Sequence, residues 1–496
     1  MVAIISSFYA FIALVLFFYS LHSYVLLYYY FLLKKKKIRL FSKCNCLSKN
    51  SRDLPPVTVQ LPIYNEKYVV RRLINSVCAM EYPKGKLEIQ ILDDSNDETT
   101  TIIRNIVREK KKEGYDIKHL KRKRRKGFKA GALQFGLKLA RGDFIAIFDA
   151  DFVPPKNFLT ELIPEFSEPK IAGVQARWGH LNSDRSLLTK AQAIGLDNHF
   201  AMEQELRYRA GFFINFNGTC GIWRKSAIID AGGWHSDTLA EDLDLSYRVQ
   251  LRGWKIVYRG DFVVPGELPE TVDSYRIQQN RWAKGTFQVA CKLLSEVLKA
   301  ELSPLVKYEA LVHLTGHINF IAMLFLGIFS FPIVYFKVEE LVPEGYYVFL
   351  SIFTIGAFGY PALYYLSQKE SYQNYKRRIF YIPGVIAYSM GLSVSNTKAL
   401  IEAIFKKNLV FTRTPKSGGA KRSYSLERKI LLPTMEVLLG VYILIGLIYV
   451  IVNFQFVLIP FLLFYSLGFL GLGLGSLKDK ILTFKQEEVL CSSQNS

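Results

Sequence analysis

Apolar positions fall into two patterns along this chain: long uninterrupted runs toward both ends, and short β-branched runs alternating with amphipathic segments between them. Residues 3–33 carry almost no charge and stop at Lys34, Lys35, Lys36 and Lys37. At about 1.5 Å per residue such a run can cross roughly 30 Å of hydrocarbon. No positive charge precedes it and no small-residue cleavage site follows it, so it reads as a membrane anchor rather than a cleaved signal. Further apolar runs at 312–336, 346–366, 433–452 and 456–476 predict four more spans. Basic loops favour the cytosolic side, which puts the chain after Lys37 in the cytosol. The acidic loop KVEELVPEG then lies outside, and the basic segments at 376–378 and 406–429 lie inside. The stretch 379–404 is apolar but has cytosol-type loops at both ends, so a helix lying at the interface is expected, with a sixth span as the alternative.

Between the first two spans the period changes. VTVQLPIYNE (57–66), LEIQILDDS (87–95), DFIAIFDAD (143–151) and IAGVQARWG (171–179) read as strands, separated by helix-like segments such as YVVRRLINSVCAM and FKAGALQFGLKLA. Alternation of this kind predicts an α/β unit with a mostly parallel sheet, and ligands of such sheets sit beyond the carboxyl ends of the strands. Polar clusters fall at those ends: Tyr64-Asn65-Glu66, Asp93-Asp94-Ser95 and Asp149-Ala150-Asp151. Acids on three sequential strands converge on one edge and make a site.

Composition narrows the class. A chain of 496 residues exceeds what one hydrophobic core fills, and 50% hydrophobic content with a formal charge of +21 suits a membrane protein with a basic cytosolic side. The six cysteines show no CxxC spacing, which argues for reduced thiols and against zinc. Asp149 and Asp151 offer hard oxygen ligands for Mg2+ or Mn2+, ions that keep part of their shell for phosphate oxygens. A nucleoside diphosphate is the natural guest. Asp93 and Asp94 would accept hydrogen bonds from base or ribose, Tyr64 would stack on the base, and Lys129, opening a helix, would meet diphosphate. No GxGxxG follows the first strand and no GxxxxGK occurs, so dinucleotide and P-loop readings fail. The basic run 121–126 is expected as a solvated loop that attracts an anionic membrane or substrate, not nucleic acid. His313 and His317, at i and i+4, are expected to be a packed pair, and none of the seven histidines is assigned a role.

The ordered set LPIYNE, LDDS, FKAGAL, DAD, NGTCG, LAEDLDLSYRVQLRGW and QQNRW resembles the membrane-embedded processive glycosyltransferases of family 2, which include cellulose, hyaluronan and mannan synthases. The resemblance runs from about residue 55 to at least 420, and the layout is most similar to bacterial cellulose synthase-like proteins and plant mannan synthases. It implies a cytosolic GT-A domain inserted between transmembrane helices. By this likeness the chain divides into an anchor (1–37), a catalytic domain (38–300), interface and membrane helices (301–476) with a gating-like loop (406–430), and a cytosolic tail (477–496).

Carried onto matching positions, the likeness assigns metal and diphosphate to Asp149 and Asp151, phosphate contact to Lys129, and the nucleotide sugar to Tyr64, Glu66, Asp93, Asp94, Gln278 and Arg281. Asp242, with Glu241 beside it, is the catalytic carboxylate, the general base that takes the acceptor's proton. Ala240 stands where the family motif has threonine. Trp282, Asn217, Gly218 and Thr219 are assigned to the acceptor, with Asn217 replacing the cysteine of cellulose synthases. Asn217 also opens a glycosylation sequon, which a cytosolic position would leave unmodified. Phe411, Arg413, Thr414 and Lys416 fall in the gating loop, with Arg413 where the cellulose enzymes carry valine. The implied activity is inverting, metal-dependent transfer of a hexose from a nucleotide sugar of the UDP-glucose or GDP-mannose class. The growing β-linked polysaccharide would cross the bilayer as it is made. The alternative is transfer of one sugar to a lipid, as in ceramide glucosyltransferases, which share parts of the motif set. The implied setting is a multi-pass protein of the plasma membrane in a prokaryote or the endomembranes in a eukaryote.

Overall fold

A computed structural model describes residues 1–38, 40–41, 54–405, 413–416, 418 and 430–494, with side chains through 481. Seven strands form one sheet: β1 Val57–Ile63, β2 Leu87–Asp93, β3 Asp116–Lys121, β4 Phe144–Ile147, β5 Ile171–His180, β6 Gly221–Arg224 and β7 Lys255–Gly266. Their order is β3-β2-β1-β4-β6-β5-β7. β1 is parallel to both β2 and β4, β2 to β3 and β5 to β7, while β6 runs antiparallel between β4 and β5. Parallel neighbours need crossover connections, which the helices Val70–Cys78, Thr99–Lys112 and Phe128–Leu139 supply.

β1 and β2 are covered on both faces, which is why they read as near-continuous apolar runs. Their buried polar side chains pair with each other: Thr58 donates to Glu88 at 2.7 Å, and Gln60 to Gln90 at 3.0 Å. One core packs Leu61, Leu73, Ile89, Ile103, Phe148 and Phe158, and another packs Leu133, Ile145, Ile147, Phe216 and Trp223. The expected strand at 143–151 is shorter than read. β4 ends at Ile147, so Asp149 and Asp151 stand on the turn that leaves the sheet. β3, β6 and β7 were not foreseen.

Among the described residues, five helices are long and apolar enough to cross a membrane: Val2–Lys35, Pro304–Val338, Glu344–Ser371, Leu431–Val452 and Phe456–Ile481. Large apolar side chains such as Phe11, Phe31, Phe358, Leu438 and Val457 are exposed along them, as a lipid-facing surface requires. Together with the sheet domain they make a membrane protein with an α/β unit between its first and second spans. The second begins earlier than the apolar run suggested, at Pro304. The stretch 379–404 forms two shorter helices, Ile382–Gly391 and Ser393–Ile404. The last helix, Ile459–Gln494, continues through most of the residues read as a tail, since no glycine or proline follows Gly475 to stop it.

The helix Val272–Lys299 leads from β7 toward the second span, capped by Thr271, whose hydroxyl accepts from the Ser274 amide. Near its start Arg276 reaches Glu436 of the fourth span at 2.6 Å, and Asp273 pairs with Lys480 of the last helix at 2.8 Å. Buried charges persist only when partnered inside the protein, and here they fix this helix against two spans.

Candidate active site

The strand ends expected to carry the chemistry open into one cavity of about 590 Å3. Tyr64, Glu66, Asp94, Lys129, Asp149, Asp151, Asn217, Glu241, Asp242, Gln278, Arg281, Trp282, Arg413, Thr414 and Lys416 all line it. Gln278, Arg281 and Trp282 share one face of the helix Val272–Lys299 because i, i+3 and i+4 positions stack on the same side.

Lysines hold the acids. Lys129, second residue of the helix Phe128–Leu139, lies 2.6 Å from Asp149 Oδ1 and 3.7 Å from Glu241, and donates to the Gly218 carbonyl at 2.9 Å. Lys416 lies 2.6 Å from Asp151 Oδ2. It also donates to the Glu267 carbonyl, while Glu267 meets Arg72 at 2.7 Å. Two carboxylates that each draw an ammonium group into a shared cavity are a donor set suited to a divalent cation.

Asp242 is the second residue of the helix Glu241–Leu251 and accepts from the Leu243 amide at 2.9 Å. Burial pushes its carboxyl up to about 7, with the Glu241 charge adding to the rise and Lys129 opposing it. Gly218 passes against it with φ at +77°, and a Cβ there would lie 2.8 Å from Asp242 Oδ2. Only glycine allows this approach. Glu66 accepts both arms of Arg413, at 2.7 and 2.9 Å.

Several assigned residues lie elsewhere or do other work. Asp93 does not line the cavity. Fully buried, it accepts from the Ser95 amide at 2.9 Å and bonds His119 of β3 at 2.8 Å. Burial alone would raise its carboxyl, but these hydrogen bonds hold it below its ordinary value. Strand neighbours point to opposite faces, so Asp94 takes the cavity and Asp93 the sheet interior. Thr219 is also buried, and its hydroxyl accepts from the Asp149 amide at 2.9 Å, setting the acid turn from beneath. Gly218 contributes a carbonyl to Lys129 and room to Asp242. Phe411 lies outside the described residues.

The basic run corrects a second expectation. Lys123, Arg124 and Lys126 are exposed, but Arg122 turns inward to pair with Asp94 and Arg125 lays its guanidinium 3.4 Å from the centre of the Tyr64 ring. Asp94 and Tyr64 supply the charge and π-face that draw them in. Histidines, given no role, are conspicuous here: His22, His180, His199, His313 and His317 all reach the cavity wall. His317 stacks on Phe320, with ring centres 5.8 Å apart, and His313 bonds the Tyr247 hydroxyl at 2.9 Å. Away from the cavity, His235, Asp237 and Asp244 have ligand atoms close enough for a metal, but Lys292 already sits 3.0, 2.9 and 2.8 Å from them.

Residues 55–285 match the family described as Glycosyltransferase like family 2. The chain is 39% identical over 302 residues to glucomannan 4-beta-mannosyltransferase 1 of Cyamopsis tetragonoloba, covering 59% of this chain and 57% of that protein. It is 43% identical over 254 residues to glucomannan 4-beta-mannosyltransferase 2 of Arabidopsis thaliana, covering 50% and 48%. The chain spans about half the length of the curated relatives it matches. A mannosyltransferase from Pyrobaculum calidifontis, solved with GDP-Man and Mn2+, shares the fold: TM-score 0.54 over 81% of this chain and 100% of that one, at 17% identity.

Proposed function

We propose, from the match of residues 55–285 to the family described as Glycosyltransferase like family 2, that this chain is a family 2 glycosyltransferase that transfers a hexose from a nucleotide sugar to the end of a β-linked polysaccharide. The names of its curated relatives favour mannose, and hence a donor of the GDP-mannose class.

The acceptor hydroxyl attacks the anomeric carbon from the face opposite the phosphate. A new C–O bond forms as the bond to the diphosphate oxygen breaks, and the configuration inverts. Asp242 accepts the hydroxyl proton and returns it to water, a task suited to a carboxyl whose pKa lies near neutrality. The electron pair leaves with the nucleoside diphosphate, whose charge Lys129 and Arg281 meet. A divalent cation held by Asp149 and Asp151 would supply further positive charge to that leaving group. Tyr64 and Arg125 together present a flat face to the base, and Trp282 presents an indole to the acceptor sugar.

One observation carries this reading. The cavity that holds Asp149, Asp151 and Asp242 is continuous with a wall of Tyr275, Phe320, Tyr360, Tyr364 and Tyr388, on helices that belong to or abut the spans. Aromatic faces with polar rims suit successive sugar rings, and a path from the acids toward the membrane favours a lengthening glycan over one sugar placed on a lipid. The catalytic unit would face the cytosol, behind Lys34 to Lys37. The test supplies radiolabelled GDP-mannose, UDP-glucose and UDP-N-acetylglucosamine, with Mg2+ or Mn2+, to membranes carrying the protein. High-mass label removed by a β-mannanase is expected. A single lipid-soluble product would overturn polymerisation, and no incorporation from any donor would overturn the transferase itself.

A further inference from the structure

The helix Leu187–Asn198 does not end at Asn198. It passes into a π-helical turn, His199–Gln204, and resumes as Glu205–Ala210. Such turns are rare and concentrate at functional sites. Here the turn brings His199 and Glu203 to the cavity wall that Asp242 also lines. Glu203 Oε2 lies 3.1 Å from His199 Nδ1, and Glu203 Oε1 accepts from Asn198 Nδ2 at 3.1 Å. On its other side His199 Nε2 lies 3.1 Å from Asn217 Nδ2. Asn217 Oδ1 in turn accepts from Gln204 Nε2 at 2.8 Å, which leaves its amide nitrogen facing the imidazole. An amide NH2 only donates, so Nε2 is the accepting nitrogen and Nδ1 carries the proton that Glu203 receives. The residue after Asn217 is Gly218, whose backbone abuts Asp242. Glu203, His199 and Asn217 thus form a hydrogen-bonded line that ends beside the general base.

Two features indicate that this wall is made to meet a ligand. His199 and Glu203 keep 27% and 19% of their side chains exposed. Glu203 makes two hydrogen bonds, and a carboxylate with two bonds made still has lone pairs to offer. The partner it would take is a donor, and a sugar ring presents hydroxyl donors around its rim. Burial alone would push the Glu203 carboxyl up, but the hydrogen bond from His199 and the charge of Arg207 pull it down, so it remains an acceptor throughout the neutral range.

We propose that the π-turn carries the acceptor-specificity residues: Glu203 accepts hydroxyls of the terminal acceptor sugar, and His199 is a positioning residue that locks Asn217 beside Asp242. This rests on the transferase reading above and adds the class of acceptor to it. The fixed negative charge of Glu203 selects a neutral hexose end and disfavours a phosphate or uronate there.

The experiment titrates the purified full chain in detergent with β-1,4-mannohexaose, read by intrinsic tryptophan fluorescence, and separately with GDP plus Mn2+. E203Q and H199A are each expected to weaken hexasaccharide binding roughly tenfold or more, the loss of one charged or fixed hydrogen bond, while GDP affinity changes less than about twofold. H199Q, whose amide oxygen can accept from Asn217, is expected to recover most of the loss. Unchanged hexasaccharide affinity in both variants would overturn the proposal, as would equal loss of both ligands, which marks a merely structural role. Failure of the unaltered protein to bind the hexasaccharide would overturn it too. If binding shows the expected dependence but no nucleotide sugar supports transfer, the subsite stands and the transferase reading falls.

Discussion

Arg413 clasps Glu66 with both arms of its guanidinium, Nε to Oε1 at 2.7 Å and Nη2 to Oε2 at 2.9 Å. The two are 347 residues apart, so this pair ties the segment between the third and fourth spans to the carboxyl end of β1. Burial raises the Glu66 carboxyl to about 7 even with Arg413 pulling it down, so its charge depends on that partner. R413V and E66Q should each weaken donor binding roughly tenfold, the scale of a charge-assisted pair. Because both remove one contact, the double variant should be no worse than the weaker single, a coupling of about 1–3 kcal/mol. Strictly additive losses in a nucleoside diphosphate titration would show that the pair does not close the cleft.

Lys416 occupies the carboxylate proposed to hold the divalent ion, with Nζ 2.6 Å from Asp151 Oδ2. On that proposal ammonium and metal compete. K416M should lower the Mn2+ concentration that half-saturates the nucleotide-free protein, by roughly tenfold if the pair is worth about 1.4 kcal/mol. D151N should instead abolish metal-dependent nucleotide binding. Titration with Mn2+ followed by electron paramagnetic resonance reads both, and an unchanged Mn2+ affinity in K416M would remove Lys416 from the metal's site.

The acids at the ends of β1, β2 and β4 were legible because apolar runs ending in carboxylates have few alternatives in a parallel sheet. The spans were legible for the same reason: length and absence of charge leave little choice. What could not be read were contacts supplied by weakly patterned elements. DIKHLK, now β3, alternates charge with apolar residues at the sheet edge and resembles a helix end or loop in isolation. Yet its His119 holds Asp93 in the sheet interior while Asp94 faces the cavity. The inward turn of Arg125 likewise depends on Tyr64, some sixty residues earlier in the chain. No periodicity announces the π-turn at His199–Gln204, since one extra residue in a helical ladder leaves the apolar pattern nearly intact.

Asp93 and His119 should thus behave as a stability pair. Removing the charge from a buried, fully hydrogen-bonded carboxylate costs about 1–3 kcal/mol, so D93N should lower the thermal midpoint of the detergent-solubilised chain. Nucleotide affinity of the molecules still folded should hardly move. The folded pKa is depressed, so the stabilisation is present above the unfolded value near 3.9 and is lost as pH falls through the lower folded one. Melting curves of the unaltered chain and D93N should converge as the pH drops below about 4. A loss of nucleotide binding with no change in melting would return Asp93 to the binding site.

Under the proposed mechanism Asp242 sets the rate. A general base works only when deprotonated, and burial with the neighbouring Glu241 charge raises this carboxyl to about 7. Transfer measured as kcat/KM should then fall about tenfold for each pH unit below 7 and level off above it. Glu66 is raised into the same range, so the acid limb could belong to either group. E66Q separates them: the limb persists in E66Q if Asp242 carries it. D242N should lower transfer by about 10²–10⁴-fold, the usual worth of a positioned base, with nucleotide-sugar binding nearly intact because the lost interaction exists only in the transition state. Parallel loss of binding and turnover in D242N, or a flat profile in E66Q, would take the proton from Asp242 and give it to another group in the cavity.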